Sequence, residues 1–89
     1  MPTCQLTIYN EEGLHARPAA KFVKLANQFP CEIWVEKDDE EINGKSIMGL
    51  MMLAASKGSV ITVSAEGDGA EDALAKITAL VDSGFESDV

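Results

Sequence analysis

The sequence is poor in cysteine, histidine and arginine, and it has no long apolar run. Two cysteines, one histidine and one arginine occur among 89 residues. Disulfide scaffolds need many cysteines and metal sites need clustered Cys and His ligands, so we expect neither, and no cofactor. No stretch approaches the roughly 20 apolar residues that span a bilayer, and the N-terminus does not resemble a signal peptide. We therefore expect a cytoplasmic protein without membrane insertion. We interpret Cys4 and Cys31 as reduced, small core residues on the apolar faces of strands.

Basic residues are also scarce, and this limits the partners. Lysines and arginines number 7 against 15 aspartates and glutamates, which gives a formal net charge of −8. Nucleic-acid binding depends on clustered Lys and Arg, so the composition argues against it. An acidic body is suited instead to protein partners that are steered by charge.

The length and composition are those of one small folded domain. A chain of 89 residues has room for a single core, so we treat residues 1–89 as one domain. Hydrophobic residues make up 46% and charged residues 25%, as in ordinary globular proteins rather than disordered ones. Any function must therefore use this one core and its surface.

Four segments alternate apolar and polar side chains, which is the pattern of half-buried strands. They are residues 3–9, 31–37, 40–43 and 59–66. Asp38 and Asp39 separate the second segment from the third, which predicts a hairpin. The acidic run at residues 38–41 has no paired-carboxylate arrangement, and we interpret it as a solvated turn.

Three further segments carry apolar residues at helical spacing. They are residues 16–27, residues 47–54 and the stretch between Gly69 and Gly84, with Gly84 at the C-cap position. The order is therefore β-α-β-β-α-β-α. Because half-polar strands need only one covered face, we expect an α+β fold, a four-stranded antiparallel sheet with three helices on one side.

The one histidine and the one arginine lie two residues apart, at the predicted start of the first helix. A helix N-terminus presents unpaired N–H groups and partial positive charge, so it favours a bound anion such as phosphate. The same field disfavours an imidazolium, which leaves a ring nitrogen of His15 free to attack phosphorus. The Arg17 side chain and the N–H groups of Ala16 and Arg17 would then hold the phosphoryl oxygens. The competing interpretation is an exposed capping histidine beside an arginine on a solvated face.

Two sequence motifs resemble those of a known family. They are GLHARPA at residues 13–19 and NGKSIMGLMMLA at residues 43–54. Together they resemble HPr, the histidine-containing phosphocarrier of the bacterial phosphotransferase system, and the likeness covers nearly the whole chain. The resemblance implies the HPr-like open-faced sandwich with strand order 1-4-2-3.

The resemblance also implies roles for the two site residues. His15 would accept a phosphoryl group on Nδ1 from phosphorylated Enzyme I, which takes it from phosphoenolpyruvate, and would pass it to an EIIA-type protein or domain. Arg17 would be the active-site arginine. Such a chain is a covalent carrier rather than a stand-alone turnover catalyst, and we expect a monomer because its docking is transient.

Ser46 begins the second motif and has two interpretations. It is a good N-cap for the short helix that follows. The resemblance adds another, since some bacteria phosphorylate the matching serine with an HPr kinase/phosphorylase as regulation, whereas other members share the serine without this use. A phosphoserine there would add about −1.5 to −2 charge and would repel an acidic partner. A regulatory HPr-like binding module that acts through Ser46 and the adjacent methionine-rich helix therefore stays open as the alternative function.

An apolar cluster follows Ser46 and is formed by Ile47, Met48, Met51 and Met52. Helical spacing does not decide its burial, because two different stripes are compatible with the pattern. Core filling is one interpretation. Flexible methionines that adapt to several partners are the other, and the resemblance favours it because the family docks through this helix and the first one.

Two further alternatives concern the pathway and the class of reaction. The segment ALVDSGF at residues 79–85 resembles the nitrogen-related branch, whereas NGKSIMGLMMLA resembles the sugar-transport type, so both branches stay open. A small hydrolase such as an acylphosphatase shares a similar sandwich. It would need a phosphate-cradling loop with arginine, and a lone Arg17 beside a nucleophilic histidine fits a carrier better.

Overall fold

The structure is a computed structural model that describes residues 1–86. Its strands are β1 (Thr3–Thr7), β2 (Glu32–Lys37), β3 (Glu40–Asn43) and β4 (Val60–Glu66). Its helices are α1 (Ala16–Ala26), α2 (Ile47–Met52) and α3 (Ala70–Asp82). The predicted order of elements is confirmed.

The four strands form one antiparallel sheet in the order β1-β4-β2-β3. Val63 of β4 lies opposite Cys4 of β1 on one side and Val35 of β2 on the other. The hairpin of β2 and β3 completes the sheet, so β1 and β3 are its edges. This is the strand order that the resemblance implies.

One face of the sheet is buried against the helices. Successive side chains of a strand point to opposite faces, and the buried ones alternate along the two central strands, β2 and β4. The sheet contributes Leu6, Ile33, Val35, Ile61, Val63 and Ala65 to the core. Phe22 from α1, Leu50 from α2 and Ile77 from α3 are completely buried in the same cluster.

Three helix ends differ from the prediction. Helix α1 ends at Ala26, one residue before the predicted end. Helix α2 ends at Met52 rather than at residue 54, because Ala54 adopts a left-handed backbone with φ of 52°. Ser83, rather than Gly84, is the C-cap of α3. Gly84 follows with φ of 70°, and its N–H and that of Phe85 return to the Val81 and Leu80 carbonyls, both at 3.0 Å. This is the Schellman arrangement, in which glycine stands one residue beyond the cap.

Three strands begin later or end earlier than predicted. Strand β1 stops at Thr7, yet Ile8 still donates to the Ser59 carbonyl at 2.9 Å, so the chain leaves the sheet gradually. Strands β2 and β4 each begin one residue after the predicted start. Strand ends of this kind are the least sharply defined part of a pattern of alternating residues.

Only the first two residues of the acidic run at 38–41 form a turn. Asp38 and Asp39 have φ of 51° and 69°, the two positive angles of a tight two-residue hairpin. Glu40 and Glu41 already belong to β3, and both are exposed. The strand predicted at residues 40–43 is confirmed, so the interpretation of all four acids as a turn is wrong for the last two, because β3 pairs with β2 directly after Asp39.

The two cysteines differ in burial. Cys31 is buried, whereas Cys4 is half-buried on the edge strand β1 with its Sγ 3.7 Å from Thr78 Oγ1. Both are free thiols. Cys4 therefore packs against the border of the core rather than within it.

Candidate functional site

His15 occupies the N-cap position of α1. Its backbone is extended, with φ of −78° and ψ of −176°, and its carbonyl accepts the Ala19 N–H at 2.9 Å. The imidazole is exposed and makes no capping hydrogen bond. The side chain is therefore not used to cap the helix, in contrast to the interpretation of a capping histidine.

The first turn of α1 has N–H groups that the helix itself does not use. Ala16 and Arg17 are the first two helical residues, and Pro18 has no N–H. Within residues 1–86 neither of these two N–H groups has a hydrogen-bond partner. No acidic residue lies in this turn, so the partial positive charge of the helix end is not neutralised within the helix.

The loop before His15 is pinned to the segment that follows α2. The Leu14 N–H donates to the Ala55 carbonyl at 2.8 Å, and Asn10 Nδ2 donates to the Gly13 carbonyl at 2.8 Å. Gly13 has φ of 66°, and a Cβ added there would collide with the Ala55 carbonyl oxygen and lie 2.8 Å from Ser56 Cα. The close approach therefore requires glycine, and it brings His15 beside the end of α2.

Two clefts flank the start of α1. The first, the His15 cleft, has a volume of about 280 Å³ and is lined by His15 with Glu12, Leu14, Met51, Ala54, Ala55 and Ser56. The second, the Arg17 groove, has a volume of about 340 Å³ and is lined by Arg17 with Asn10, Glu12, Pro18, Lys21, Gly84, Phe85 and Glu86. His15 and Arg17 thus lie at one end of the molecule but line different clefts, and Glu12 borders both.

Arg17 is exposed at the mouth of its groove. Within residues 1–86 the ion pairs are Lys37 with Asp38 and Lys57 with Glu11, so Arg17 has none there. Lys21, one helical turn further along α1, is half-buried. Its Nζ donates to the Phe85 carbonyl at 2.8 Å. The lysine is therefore engaged in holding the chain after α3, whereas the arginine is available to an anion.

Ser46 is the N-cap of α2, as predicted. Its Oγ accepts the Gly49 N–H at 3.0 Å, and its carbonyl accepts the Leu50 N–H at 3.1 Å. A Cβ on Gly49 would lie 3.3 Å from both Ser46 Oγ and Ile42 Cβ, so the absence of a side chain helps this cap to form. The hydroxyl is half-buried.

The apolar cluster after Ser46 is exposed, so neither of the two helical stripes forms the buried face of α2. Ile47, Met48, Met51 and Met52 have 40%, 75%, 45% and 70% of their surface exposed, whereas Leu50 is fully buried. We call these four residues the methionine patch. Met51 also lines the His15 cleft, so the patch continues directly to the histidine.

The chain is similar in sequence to known phosphocarrier proteins. The sequence model of the PTS HPr component phosphorylation site matches residues 2–83. The chain belongs to the HPr family of the phosphotransferase system. A phosphocarrier protein HPr of Neisseria meningitidis serogroup A is 49% identical over 80 residues, which is 90% of each chain. The HPr-like protein Crh of Bacillus subtilis is 51% identical over 69 residues, which is 78% of this chain and 81% of Crh.

A solved structure shows the same fold. The crystal structure of an HPr from Thermoanaerobacter tengcongensis matches this chain with a TM-score of 0.94 at 47% identity, and all of both chains is covered. The open-faced sandwich with strand order 1-4-2-3, which was expected from the resemblance to HPr, is therefore confirmed.

Several residues around His15 and the start of α2 make contacts that sequence patterns do not signal. Lys45 Nζ donates to the Phe29 carbonyl at 2.7 Å, and so connects the turn before α2 with the chain that leaves α1. Lys21 makes the corresponding contact to the chain that leaves α3. Glu12 borders both clefts of the site. The two lysine contacts join segments that are distant in sequence, and the position of Glu12 depends on the geometry of a loop. The periodicity of apolar residues reveals neither kind of feature.

One ion pair supports the loop before His15. Lys57 Nζ donates to Glu11 Oε1 at 2.6 Å, and this hydrogen bond and the lysine's charge lower the pKa of the Glu11 carboxyl. Both side chains are exposed, so the pair adds little to stability but contributes to holding the loop beside the segment before β4.

Two structural features bear on the classes of site that the chain offers. In the part that the structure describes, no group of three or more His, Cys, Asp and Glu side chains is placed to hold a metal ion. No helix among residues 1–86 is long and apolar enough to cross a membrane.

Proposed function

We propose that this chain carries a phosphoryl group on His15, which it takes from phosphorylated Enzyme I and passes to an EIIA-type protein or domain. The observation that supports this most directly is the exposed, uncapped imidazole of the chain's one histidine at the N-terminus of α1, in a member of the HPr family. Nothing in the described residues occupies this helix end, so an anion has access to it.

The chemistry follows from the position of His15. When phosphoenolpyruvate is the source, its bridging P–O bond breaks and a P–N bond forms at the ring. The imidazole loses one proton, and the methyl carbon of pyruvate gains one. Enzyme I carries the phosphoryl group between phosphoenolpyruvate and His15. The unpaired N–H groups of Ala16 and Arg17 and the Arg17 guanidinium would stabilise the phosphoryl oxygens. The ring nitrogen that the resemblance assigns to the bond is Nδ1.

We propose the methionine patch as the docking surface for both donor and acceptor. It is exposed, it adjoins His15 through Met51, and methionine side chains adapt to partners of different shape. A partner that covers the patch would also enclose the His15 cleft and exclude water from the reacting atoms.

The carrier role is tested by intact-protein mass spectrometry at neutral pH. We expect one acid-labile phosphoryl group on the wild-type chain after incubation with Enzyme I and phosphoenolpyruvate, and none on His15→Ala. Because the imidazole is exposed and makes no capping bond, the variant should unfold at the same urea concentration as the wild type. A wild-type chain that stays unmodified beside a demonstrably active Enzyme I would refute the proposal.

The second candidate function is regulatory, and the position of Ser46 together with the Crh relative favours it. Crh of Bacillus subtilis is described as an HPr-like protein. We propose that an HPr kinase/phosphorylase phosphorylates Ser46. The phosphate would stand at the N-cap of α2, beside the methionine patch, and would change the charge of the docking surface.

The matched variant for this test is Ser46→Asn. Asparagine is as good an N-cap as serine but offers no hydroxyl, so the variant separates capping from modification. We expect the kinase to add phosphate to the wild type and not to Ser46→Asn, while both unfold at similar urea concentrations. Phosphate incorporation that is equal in the two chains would exclude Ser46 as the acceptor.

We propose further that the chain acts as a monomer in the cytoplasm. The docking surface proposed above is small and serves transient contacts, and both cysteines are free. A dimer of HPr from Thermoanaerobacter tengcongensis has been solved, so the state has to be measured. Light scattering coupled to size exclusion should give the mass of one chain, 9.5 kDa, across the concentration range used for phosphoryl transfer.

A further inference from the structure

Glu12 lies between the two clefts of the site. It lines the His15 cleft and also the Arg17 groove, and no other described residue lines both. It is exposed, and within residues 1–86 it takes part in no ion pair. Its neighbour Glu11 is also exposed, but it differs in its ion pairing and in its position relative to the two clefts. The Glu11 carboxylate is bound to Lys57 at 2.6 Å, and Glu11 borders neither of the two clefts.

We propose that Glu12 destabilises the phosphorylated state of His15 and so makes the carrier a better phosphoryl donor. This inference rests on the proposed carrier function. A phosphoryl group on His15 adds about two negative charges to the cleft that the Glu12 carboxylate borders, and like charges repel. Within residues 1–86 Glu12 forms no salt bridge, so no direct ion pair offsets this repulsion.

Glu12 also competes for the arginine. Glu12 and Glu86 are the acidic residues of the groove in which Arg17 is the unpaired cation, whereas Lys21 is engaged with the Phe85 carbonyl. In the resting carrier the guanidinium shares this groove with Glu12 and Glu86 without a salt bridge to either, and in the phosphorylated carrier it must serve the phosphoryl oxygens as well. Both effects of Glu12 raise the free energy of the phosphorylated state relative to the resting one.

Glu12 takes no part in the covalent step. The P–N bond at His15 forms and breaks as described above, and the carboxylate shifts only the equilibrium between carriers with and without the phosphoryl group. Charge pairs at an exposed surface change such an equilibrium constant by roughly two- to fivefold at low salt. The expected effect is therefore small but measurable when two chains compete directly.

The experiment is a competition in one tube. Uniformly ¹⁵N-labelled wild type and unlabelled Glu12→Gln are mixed in equal amounts with catalytic Enzyme I and limiting phosphoenolpyruvate. The phosphoryl group then equilibrates between the two chains through Enzyme I, and intact-protein mass spectrometry at neutral pH reads both occupancies. Glu11→Gln is the matched control, because it changes the net charge identically from the adjacent position.

We expect the phosphoryl group to favour Glu12→Gln over wild type by roughly two- to fivefold, with no preference for Glu11→Gln. Glu12→Asp, which keeps the charge, should partition close to wild type, and about 1 M salt should abolish the preference because the screening length falls to about 3 Å. Equal partition of Glu12→Gln and Glu11→Gln would overturn the inference. The absence of phosphoryl on every chain would instead refute the proposed carrier function, so the two failures are distinguishable.

Discussion

At the scale of single residues, Gly13 determines how closely the loop before α1 approaches the segment after α2. A side chain there would meet the Ala55 carbonyl and Ser56 Cα, and the backbone has a positive φ. Gly58 has φ of 91° but no heavy atom within 4 Å of an added Cβ. Gly13 is therefore required for both steric and conformational reasons, whereas Gly58 is required only for its backbone conformation.

We predict that Gly13→Ala lowers the free energy of unfolding by more than about 2 kcal/mol, since it adds a collision with backbone atoms to the cost of a left-handed alanine. Gly58→Ala should cost about 1 kcal/mol, because only the conformational cost applies. Urea denaturation of both variants measures the difference. Equal losses would mean that the loop moves away from Ala55 without cost.

A second residue-scale prediction concerns the pH dependence of Glu11. Its pKa is lowered in the folded chain by the hydrogen bond and charge of Lys57. The unfolded chain therefore binds this proton more readily, so the pair's contribution to stability is present at neutral pH and is lost as the pH falls through the acidic range. The carboxylate is exposed, so salt should weaken the effect.

The pKa itself is measured by an NMR titration of the Glu11 carboxyl carbon. We expect it to rise in Lys57→Gln and to stay unchanged in Lys76→Gln, which removes a lysine from the exposed side of α3. A titration midpoint of Glu11 that is identical in wild type and Lys57→Gln would show that the ion pair does not form in solution.

At the scale of elements, the short helix α2 packs against the core through a single buried side chain. Leu50 is its one buried residue, while the methionine patch around it is exposed. We predict that Leu50→Ala lowers the free energy of unfolding by about 2–5 kcal/mol, the range for a truncated core leucine. Met48→Ala, on the same helix, should change it by less than about 0.5 kcal/mol.

The same two variants distinguish stability from docking. Met48→Ala should weaken phosphoryl transfer from Enzyme I, seen as a higher KM for the carrier, although its stability is unchanged. Steady-state transfer assays at several carrier concentrations measure this. If the KM is unaffected by Met48→Ala and also by Met52→Ala, the methionine patch is not the docking surface.

The sequence predicted the elements well, because strands and helices have different periods. Phe22 and Ala26 of α1, and Ile77 of α3, are fully buried, in keeping with the helical spacing of apolar residues in these segments. The end of α2 was missed, since the left-handed backbone at Ala54 is imposed on a residue that has no preference for it. It depends on the packing of the following segment against Gly13, which is a contact across the chain.

For the site, the sequence predicted which residues come together but not how they are arranged. His15 lies at the helix N-terminus and Ser46 caps α2, as expected from local pattern. The separate clefts of His15 and Arg17 were not expected, because they depend on where α2 and the chain after α3 lie against α1. The exposure of the methionine patch does not follow from helical spacing, since only packing determines that Leu50, Leu53 and Ala55 are the buried residues of this region.

At the scale of the whole molecule, the uncovered face of the sheet is acidic and lies opposite the helices. Glu36 of β2 stands directly across from Glu41 of β3, and Glu32 of β2 across from Glu66 of β4. Like charges in directly opposed positions destabilise a sheet. The fold therefore carries a small electrostatic cost on this face, at a distance from the phosphoryl chemistry.

This cost can be tested by two substitutions on neighbouring residues of one strand. Glu41→Lys would place a lysine across from Glu36, whereas Glu40→Lys would place one across from Lys37. We predict that the first raises the free energy of unfolding by about 0.2–1 kcal/mol and that the second lowers it by a similar amount. Both variants change the net charge equally, so a general relief of acidity would stabilise both. Opposite signs in urea denaturation at low salt, converging at high salt, would therefore locate the effect in the cross-strand pairs rather than in the net charge of the molecule.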